Sequence, residues 1–118
     1  METITLRSSR IYDQGALKTA IESYYKNMVV PGRAVGSSIV NYSNCVQLEH
    51  VSHLVERIEQ VGSDVVCDIR ILDTPGGKIL KQLLEDKSVD FSIRGMGAVK
   101  DGVVVIDEIV TIDAIPKL

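Results

Sequence analysis

The sequence has no tryptophan, and aromatic residues make up only 4% of its 118 residues. Aliphatic side chains must therefore fill most of the core, and little aromatic surface is left for stacking on nucleic-acid bases. There is no excess of basic residues either, because the formal net charge is −3. Nucleic-acid binding usually requires a positively charged surface. We therefore expect no nucleic-acid partner.

Cysteines and long apolar runs are also scarce. Cys45 and Cys67 are the two cysteines, and they lack the spacing of metal ligands. We interpret them as buried or free thiols in a reducing compartment, and we expect neither a metal nor another cofactor. No signal peptide is found, and no apolar run approaches the roughly 20 residues that cross a membrane. We therefore expect no membrane partner, and the 45% hydrophobic content suits one globular domain, residues 1–118.

Local patterns predict the first elements. Residues 3–8 alternate apolar and polar side chains, which predicts a strand. A helix follows, with Asp13 as its N-cap and its end before Pro31. Its apolar residues recur at helical spacing: Leu17, Ala20, Ile21, Tyr24, Tyr25 and Met28. Residues 33–45 are rich in turn-forming residues and predict an irregular connection with room for a short strand.

The remaining elements alternate between strands and one more helix. Residues 51–58 fit a helix or a strand, but the turn at Gly62-Ser63-Asp64 and the β-branched run at residues 65–72 favour a hairpin. Thr74 as N-cap and Pro75 at the first helical position predict a second helix. Strands are expected at residues 89–94, 103–106 and 109–115, with a turn at 100–102. This order predicts an α+β fold, a small, mostly antiparallel β-barrel or curled sheet flanked by two helices.

One predicted strand carries residues that suit catalysis. Its alternating side chains place Val89, Phe91 and Ile93 on a buried face and Asp90, Ser92 and Arg94 on the opposite face. Gly95 and Gly97 follow, and glycine can adopt backbone conformations closed to other residues. A hydroxyl, a guanidinium and glycine-freed amides are the parts of a serine nucleophile with an oxyanion site. They are equally the parts of an ordinary exposed strand end, and the segment alone leaves both interpretations open.

A serine nucleophile needs a base, which is almost always a histidine. The sequence offers only His50 and His53. Because they are three residues apart on an extended segment, they face opposite sides, and at most one can reach Ser92. Residues 74–78 place glycines and a lysine at a helix start, where an anion can bind. They lack the full phosphate-loop spacing, so helix capping is the favoured interpretation.

Five segments occur in an order that is typical of one family. They read S-R-I-Y at residues 9–12, L-E-H-V-S-H-L-V at 48–55, I-L-D-T-P-G-G-K-I-L at 71–80, F-S-I-R-G-M-G at 91–97 and V-T-I-D-A-I-P at 110–116. In that order they resemble the G-R-I-Y-P, L-x-x-V-S-H-x-I, K-I-L-D-T-P-x-G-K-I, V-S-S-R-G-x-G and x-x-x-D-x-V-x-P motifs of the prohead (capsid maturation) serine proteases of T4-like tailed phages. The resemblance covers nearly the whole chain from Arg10.

This resemblance implies a fold like that of the herpesvirus assemblins, which is a small β-barrel flanked by helices. In the family, a histidine and a serine, with a third supporting group, cleave scaffold and capsid proteins inside the immature head. Ser92 matches the first serine of V-S-S-R-G, which is the expected nucleophile. The family's arginine and glycines are retained as Arg94, Gly95 and Gly97.

The sequence departs from the family where the base is expected. The family's catalytic histidine lies in an L-G-E-L-x-H-P segment, and the alignment places Ile39 or Val40 there. Neither side chain can accept a proton. His53 matches the histidine of V-S-H, which we do not take for the family's general base, and His50 is an extra. Asp90 replaces a glycine, and its carboxylate would disfavour a developing oxyanion.

We therefore expect a phage structural protein that has lost catalysis and acts as a capsid-associated decoration or head-assembly protein. Its expected partners are the major capsid protein or other phage head proteins, and homo-oligomers are compatible with the sequence. Its expected location is the virion capsid, reached from the host cytoplasm during assembly. The alternative is an active head-maturation endopeptidase, with Ser92 as nucleophile, His50 or His53 as base and Arg94 at the oxyanion. A third interpretation is a pseudoprotease that regulates a true protease.

Overall fold

The computed structural model describes residues 1–6, 10–37 and 50–117. Within these ranges the elements, in chain order, are β1 (Glu2–Thr5), β2 (Ile11–Tyr12), α1 (Gln14–Tyr24), β3 (Val35–Ser37), β4 (Val51–Val61), β5 (Asp64–Ile71), α2 (Pro75–Glu85), β6 (Val89–Lys100) and β7 (Val103–Pro116). A π-helical turn, Tyr25–Val29, follows α1 directly. Cys45 and most of the predicted irregular connection lie outside the described residues.

Both helices begin where their capping residues predict. The Asp13 carboxylate accepts a hydrogen bond from the backbone N–H of Ala16 at 2.8 Å, and the Thr74 hydroxyl accepts one from that of Gly77 at 2.9 Å. These bonds satisfy donors that the first turn of a helix leaves unpaired. The Thr74 hydroxyl also donates to the Val51 carbonyl at 2.6 Å, which attaches α2 to the start of β4. The capping interpretation of this segment is confirmed.

The strands form two sheets. The first has the order β1-β5-β4-β3, and every neighbouring pair in it is antiparallel. The second has the order β2-β7-β6, in which β6 and β7 are antiparallel and the short β2 is parallel to β7. The predicted α+β class, with two helices and mostly antiparallel strands, is confirmed. The strands in the described part of the chain make two open sheets rather than a closed barrel.

Both sheets and both helices contribute to one hydrophobic core. Its buried members are Leu17, Ala20, Ile21, Tyr24, Val29, Ala34, Val55, Ile58, Val65, Cys67, Ile69, Leu80, Phe91, Ile106, Ile109, Ile112 and Ala114. Aliphatic residues dominate this set, as the scarcity of aromatic residues predicts. Burial raises the pKa of the Cys67 thiol to about 12, so this cysteine is an unreactive part of the core.

The β6–β7 hairpin is longer than the sequence predicts. β6 does not end at the glycines but continues as a strand to Lys100, and the two strands expected after the turn are the single strand β7. The hairpin turns at Asp101 and Gly102, which both have positive φ. The turn predicted at residues 100–102 is therefore confirmed.

Gly95 and Gly97 lie within this ladder at two irregularities of the register. A Cβ atom added to Gly95 would lie 2.6 Å from the Glu108 carbonyl oxygen, and one on Gly97 would lie 2.9 Å from the Ile106 Cα. The neighbouring backbone is too close for any side chain at these positions. The glycines therefore permit close strand pairing here, and the strand end expected at them is not observed.

Candidate functional site

Ser92 lies in the half of β6 nearer the core, which we call the inner half (residues 89–94). Its side chain is half-buried, and its cross-strand partner on β7 is Asp113. The adjacent Phe91 is only 3% exposed and belongs to the core. Because successive side chains of a strand face opposite ways, Ser92 is directed away from the core face on which Phe91 packs. The predicted alternation of this segment is confirmed.

Arg94 is held by a carboxylate on the same face. Its Nε lies 3.0 Å from Asp113 Oδ2, and its Nη2 donates to Asp113 Oδ1 at 3.0 Å. The two side chains are 9% and 6% exposed, so this is a buried ion pair, supported by the hydrogen bond from Nη2 to Oδ1. Burial raises the pKa of Asp113, and the Arg94 guanidinium and a hydrogen bond from the backbone of Ser37 oppose that rise. Each buried charge is thereby compensated by the opposite charge on the neighbouring strand.

His53 is fully buried, and hydrogen bonds hold both of its ring nitrogens. Nε2 lies 2.7 Å from the Ile112 carbonyl oxygen, and Nδ1 lies 2.7 Å from Ser52 Oγ. A carbonyl oxygen can only accept a hydrogen bond, so Nε2 carries the ring proton and Nδ1 accepts a hydrogen bond from the Ser52 hydroxyl. Burial lowers the pKa of His53 from 6.5 to about 4, although the hydrogen bond to Ile112 opposes the change. The imidazole is therefore neutral at pH 7.

The position of His53 relative to β6 separates it from Ser92. Its ring meets the Phe91 ring edge-on, with centroids 5.7 Å apart and planes at 90°. Phe91 projects from the core face of β6, whereas Ser92 projects from the other face. The structure thus brings His53 to the strand that carries Ser92, but to the opposite side of it.

Gly36 allows His53 to reach β7. A Cβ atom at Gly36 would lie 2.6 Å from His53 Cε1 and would also collide with Nε2 and with the Ile112 carbonyl oxygen. Beside it, the Thr111 hydroxyl donates to the Val35 carbonyl at 2.6 Å. Glycine at this position therefore allows β3 to pass close to His53. The hydrogen bonds of His53 to Ile112 and of Thr111 to Val35 connect the first sheet to the second.

The fold is similar to that of a solved protease structure. That structure is the bacteriophage T4 capsid assembly protease, gp21, with a TM-score of 0.80 and 21% sequence identity, over 92% of this chain and 72% of that chain. The chain has a phage prohead-protease-like fold. No family model and no curated protein matches the sequence.

The second candidate histidine lies next to the start of β4. His50 directly precedes β4 and is half-buried. Its carbonyl oxygen lies beside the start of α2, 3.1 Å from where a Cβ atom on Gly76 would stand. Ile39 and Val40, which align with the base of the prohead proteases, lie outside the described residues. Their replacement of that base therefore stays a prediction from sequence.

The part of the chain that the structure describes offers no cluster of three or more His, Cys, Asp or Glu side chains that could hold a metal ion. None of its helices is both long and apolar enough to span a membrane. The candidate residues remain those that the sequence predicts, which are Ser92, Arg94, His50 and His53.

The sequence signals for this site were incomplete. The pattern of one strand predicts Ser92 and Arg94, and His50 and His53 are candidates because the sequence has no other histidine. The sequence does not reveal the role of Ser52, which bonds His53, or of Thr111, which bonds Val35 on β3. A hydroxyl on a strand has no local pattern that indicates its partner. Only the buried character of Thr111, between apolar neighbours on β7, gives a hint of its structural role.

Proposed function

We propose that this chain is a non-catalytic protein of the phage head that uses a prohead-protease-like fold to bind other head proteins. The observation that carries the proposal is the environment of His53, whose ring contacts the strand that carries Ser92. A general base must hydrogen-bond the proton that it removes. Both nitrogens of His53 are occupied by Ser52 and Ile112 instead.

The pKa of His53 supports the same conclusion. A general base works best when its pKa lies near the working pH. A pKa of about 4, caused by burial, makes the imidazole a weak base at neutral pH. Protonating it would also place an unpaired charge in the core, because its neighbours Ile112 and Phe91 offer no carboxylate.

The expected oxyanion parts are engaged in the fold. Arg94 forms a buried ion pair with Asp113, and Gly95 and Gly97 lie in a paired strand rather than at its end. An oxyanion site needs donors aimed at the position where charge develops. The aliphatic residues at the aligned base position, Ile39 or Val40, support the loss of catalysis from the sequence side.

The association with the phage head is inferred from the similar structure, which is that of a capsid assembly protease. We propose that the chain binds the major capsid protein or another head protein, as a decoration or head-assembly protein. It would then be found on the virion capsid after assembly in the host cytoplasm. Fold similarity alone does not fix a function, so this part of the proposal needs its own test.

Catalysis is tested with a fluorophosphonate probe, which labels activated serines, and with scaffold and capsid proteins as substrates. Wild type, Ser92→Ala and the matched control Ser88→Ala, an exposed serine just before β6, are compared with the T4 protease. We expect no labelling and no cleavage by any of the three. Labelling that disappears only in Ser92→Ala would contradict the proposal and favour the active endopeptidase. His50→Ala and His53→Ala would then identify its base.

Head association is tested by quantifying the chain in purified mature virions and in proheads. We expect a fixed ratio to the major capsid protein in both particles. Absence from mature virions would contradict a decoration role. Recovery together with an active protease, whose cleavage rate changes when this chain is added, would favour the pseudoprotease interpretation instead.

A further inference from the structure

The second half of β6, residues 95–100, is an exposed sheet edge, and we call it the outer half. All six of its residues are exposed. In the described sheet β6 is the last strand, because the order is β2-β7-β6. A terminal strand presents a row of backbone N–H and C=O groups that another strand can pair with.

The outer half of β6 contains no extra residue relative to its partner strand. From Arg94 to Gly97, β6 advances by three residues, whereas the stretch of β7 that pairs with it, from Ile106 to Thr111, advances by five. The two residues without a partner in this register, Asp107 and Val110, both lie on β7. Bulges usually bend the strand that contains the extra residue and disturb its hydrogen-bond spacing. Here the extra residues lie on β7, so β6, the last strand of the described sheet, carries no bulge of its own.

Natural proteins usually protect an exposed edge with charges or proline. The outer half contains no proline, and its only charged residue is Lys100 at the turn. Instead it exposes Val99, which is 66% exposed, and Met96, which is 47% exposed. The outer half therefore lacks the usual protection of an edge strand.

We propose that the outer half of β6 pairs with the same segment of a second copy of this chain, antiparallel and with the twofold axis at Ala98. In this register Val99 of each copy lies opposite Gly97 of the other, so the larger side chain covers the position that lacks one. Met96 lies opposite Lys100, whose aliphatic stem can pack on the thioether. The pairing joins two three-stranded sheets into one continuous sheet.

Charge favours this register over its neighbour. An axis at Gly97 would place Arg94 opposite Lys100, and like charges directly opposite one another destabilise a strand pair. An axis at Ala98 brings no two like charges together. The occupant is a second copy because, in this register, the segment complements itself in size and places no like charges opposite one another. This inference goes beyond the proposed function and does not rest on it.

Dimerisation is tested by sedimentation velocity over a range of concentrations, with Val99→Lys and the matched control Val61→Lys. Val61 is also an exposed strand residue, 52% exposed, but it lies on β4. We expect a reversible dimer of the 12.9 kDa chain, a dissociation constant at least about tenfold higher for Val99→Lys because lysine protects an edge, and no change for Val61→Lys. A wild type that is monomeric at all concentrations, or equal weakening by both variants, would overturn the proposal.

The register is tested by disulfide cross-linking in a Cys45→Ser background, since Cys67 is buried. Opposed residues of antiparallel strands have Cα atoms about 4.5–5.5 Å apart, which a disulfide can span. We therefore expect Ala98→Cys to form an intermolecular disulfide. Lys100→Cys places the two sulfurs about 14 Å apart along the strands, and we expect it to remain uncross-linked.

Two outcomes of these tests would contradict pairing between copies. Equal cross-linking of Ala98→Cys and Lys100→Cys would show random collision. A monomeric chain that binds purified capsids, and that loses this binding in Val99→Lys but not in Val61→Lys, would assign the edge to a strand of a head protein. Labelling by the serine probe has no bearing on either result.

Discussion

The inner and outer halves of β6 share one continuous backbone but have different surroundings. In the inner half Phe91 contacts the ring of His53, and Arg94 is buried against Asp113. In the outer half every residue is exposed, and the bulged partner strand approaches the glycines. The segment that resembles a catalytic strand end is therefore the point at which β6 changes from a strand packed on the core to an exposed sheet edge. The two halves should therefore respond differently to substitution.

Arg94→Ala should have the largest effect. It leaves the Asp113 carboxylate buried without its cation, which typically lowers the free energy of unfolding by about 3–5 kcal/mol. Urea denaturation followed by far-ultraviolet circular dichroism measures the loss. The double variant Arg94→Met with Asp113→Leu should lose less, because it buries no unpaired charge. A loss below about 1 kcal/mol for Arg94→Ala would mean that the inner half does not depend on this pair.

Acid should destabilise the protein through His53. The pKa of its imidazole is 6.5 in an unfolded chain and about 4 in the folded protein, so between these pH values the unfolded state binds the proton more tightly. The stabilisation is complete above pH 6.5 and is lost progressively as the pH falls toward 4, by roughly 3 kcal/mol in total. Urea denaturation at several pH values measures this loss.

The matched variants for the acid experiment are His53→Gln and His50→Gln. His53→Gln should show a smaller loss between pH 6.5 and pH 4, because the titrating group is gone. His50→Gln retains His53 and should follow the wild type. An equal dependence of the free energy of unfolding on pH for wild type and His53→Gln would contradict the inference that the neutral, buried imidazole stabilises the fold.

Val99→Thr should have the smallest effect. The side chain is 66% exposed in the outer half, and surface substitutions of this kind usually change the free energy of unfolding by no more than about 0.5 kcal/mol. The measurement uses a protein concentration at which the wild type is monomeric. A loss above about 1 kcal/mol would mean that the outer half is packed within the monomer, and the contrast between the two halves would fail.

Elements that depend on local chemistry could be predicted from the sequence. Asp13 and Thr74 cap their helices as expected, since a capping side chain bonds within its own first turn. Hairpin turns at Gly62 and at Asp101-Gly102 require positive φ, which those residue types tolerate. Element type and order follow from such signals, and the α+β class follows from the order.

Contacts between distant segments could not be predicted in the same way. Nothing near His53 in the sequence indicates that the Ile112 carbonyl will accept a hydrogen bond from its ring, or that Gly36 must lie beside this contact. The sequence of β6 alone suggests that the strand ends at Gly95 and Gly97. The bulges that require these glycines lie on β7, so the sequence of β6 gives no sign of them. The roles of Ser92, His50, His53 and Arg94 in catalysis remain predictions that the probe experiment tests.

The parallel pairing of β2 has a consequence for the order of folding. Ile11 and Tyr12 pair with Val103 and Val104, across most of the length of the sequence. Closing so long a loop costs chain entropy before the contact returns any stabilisation, which slows such pairings relative to local hairpins. The β6–β7 hairpin can assemble early from neighbouring residues, whereas β2 joins it late. We therefore expect this two-residue strand to add to the second sheet only after the β6–β7 hairpin has formed.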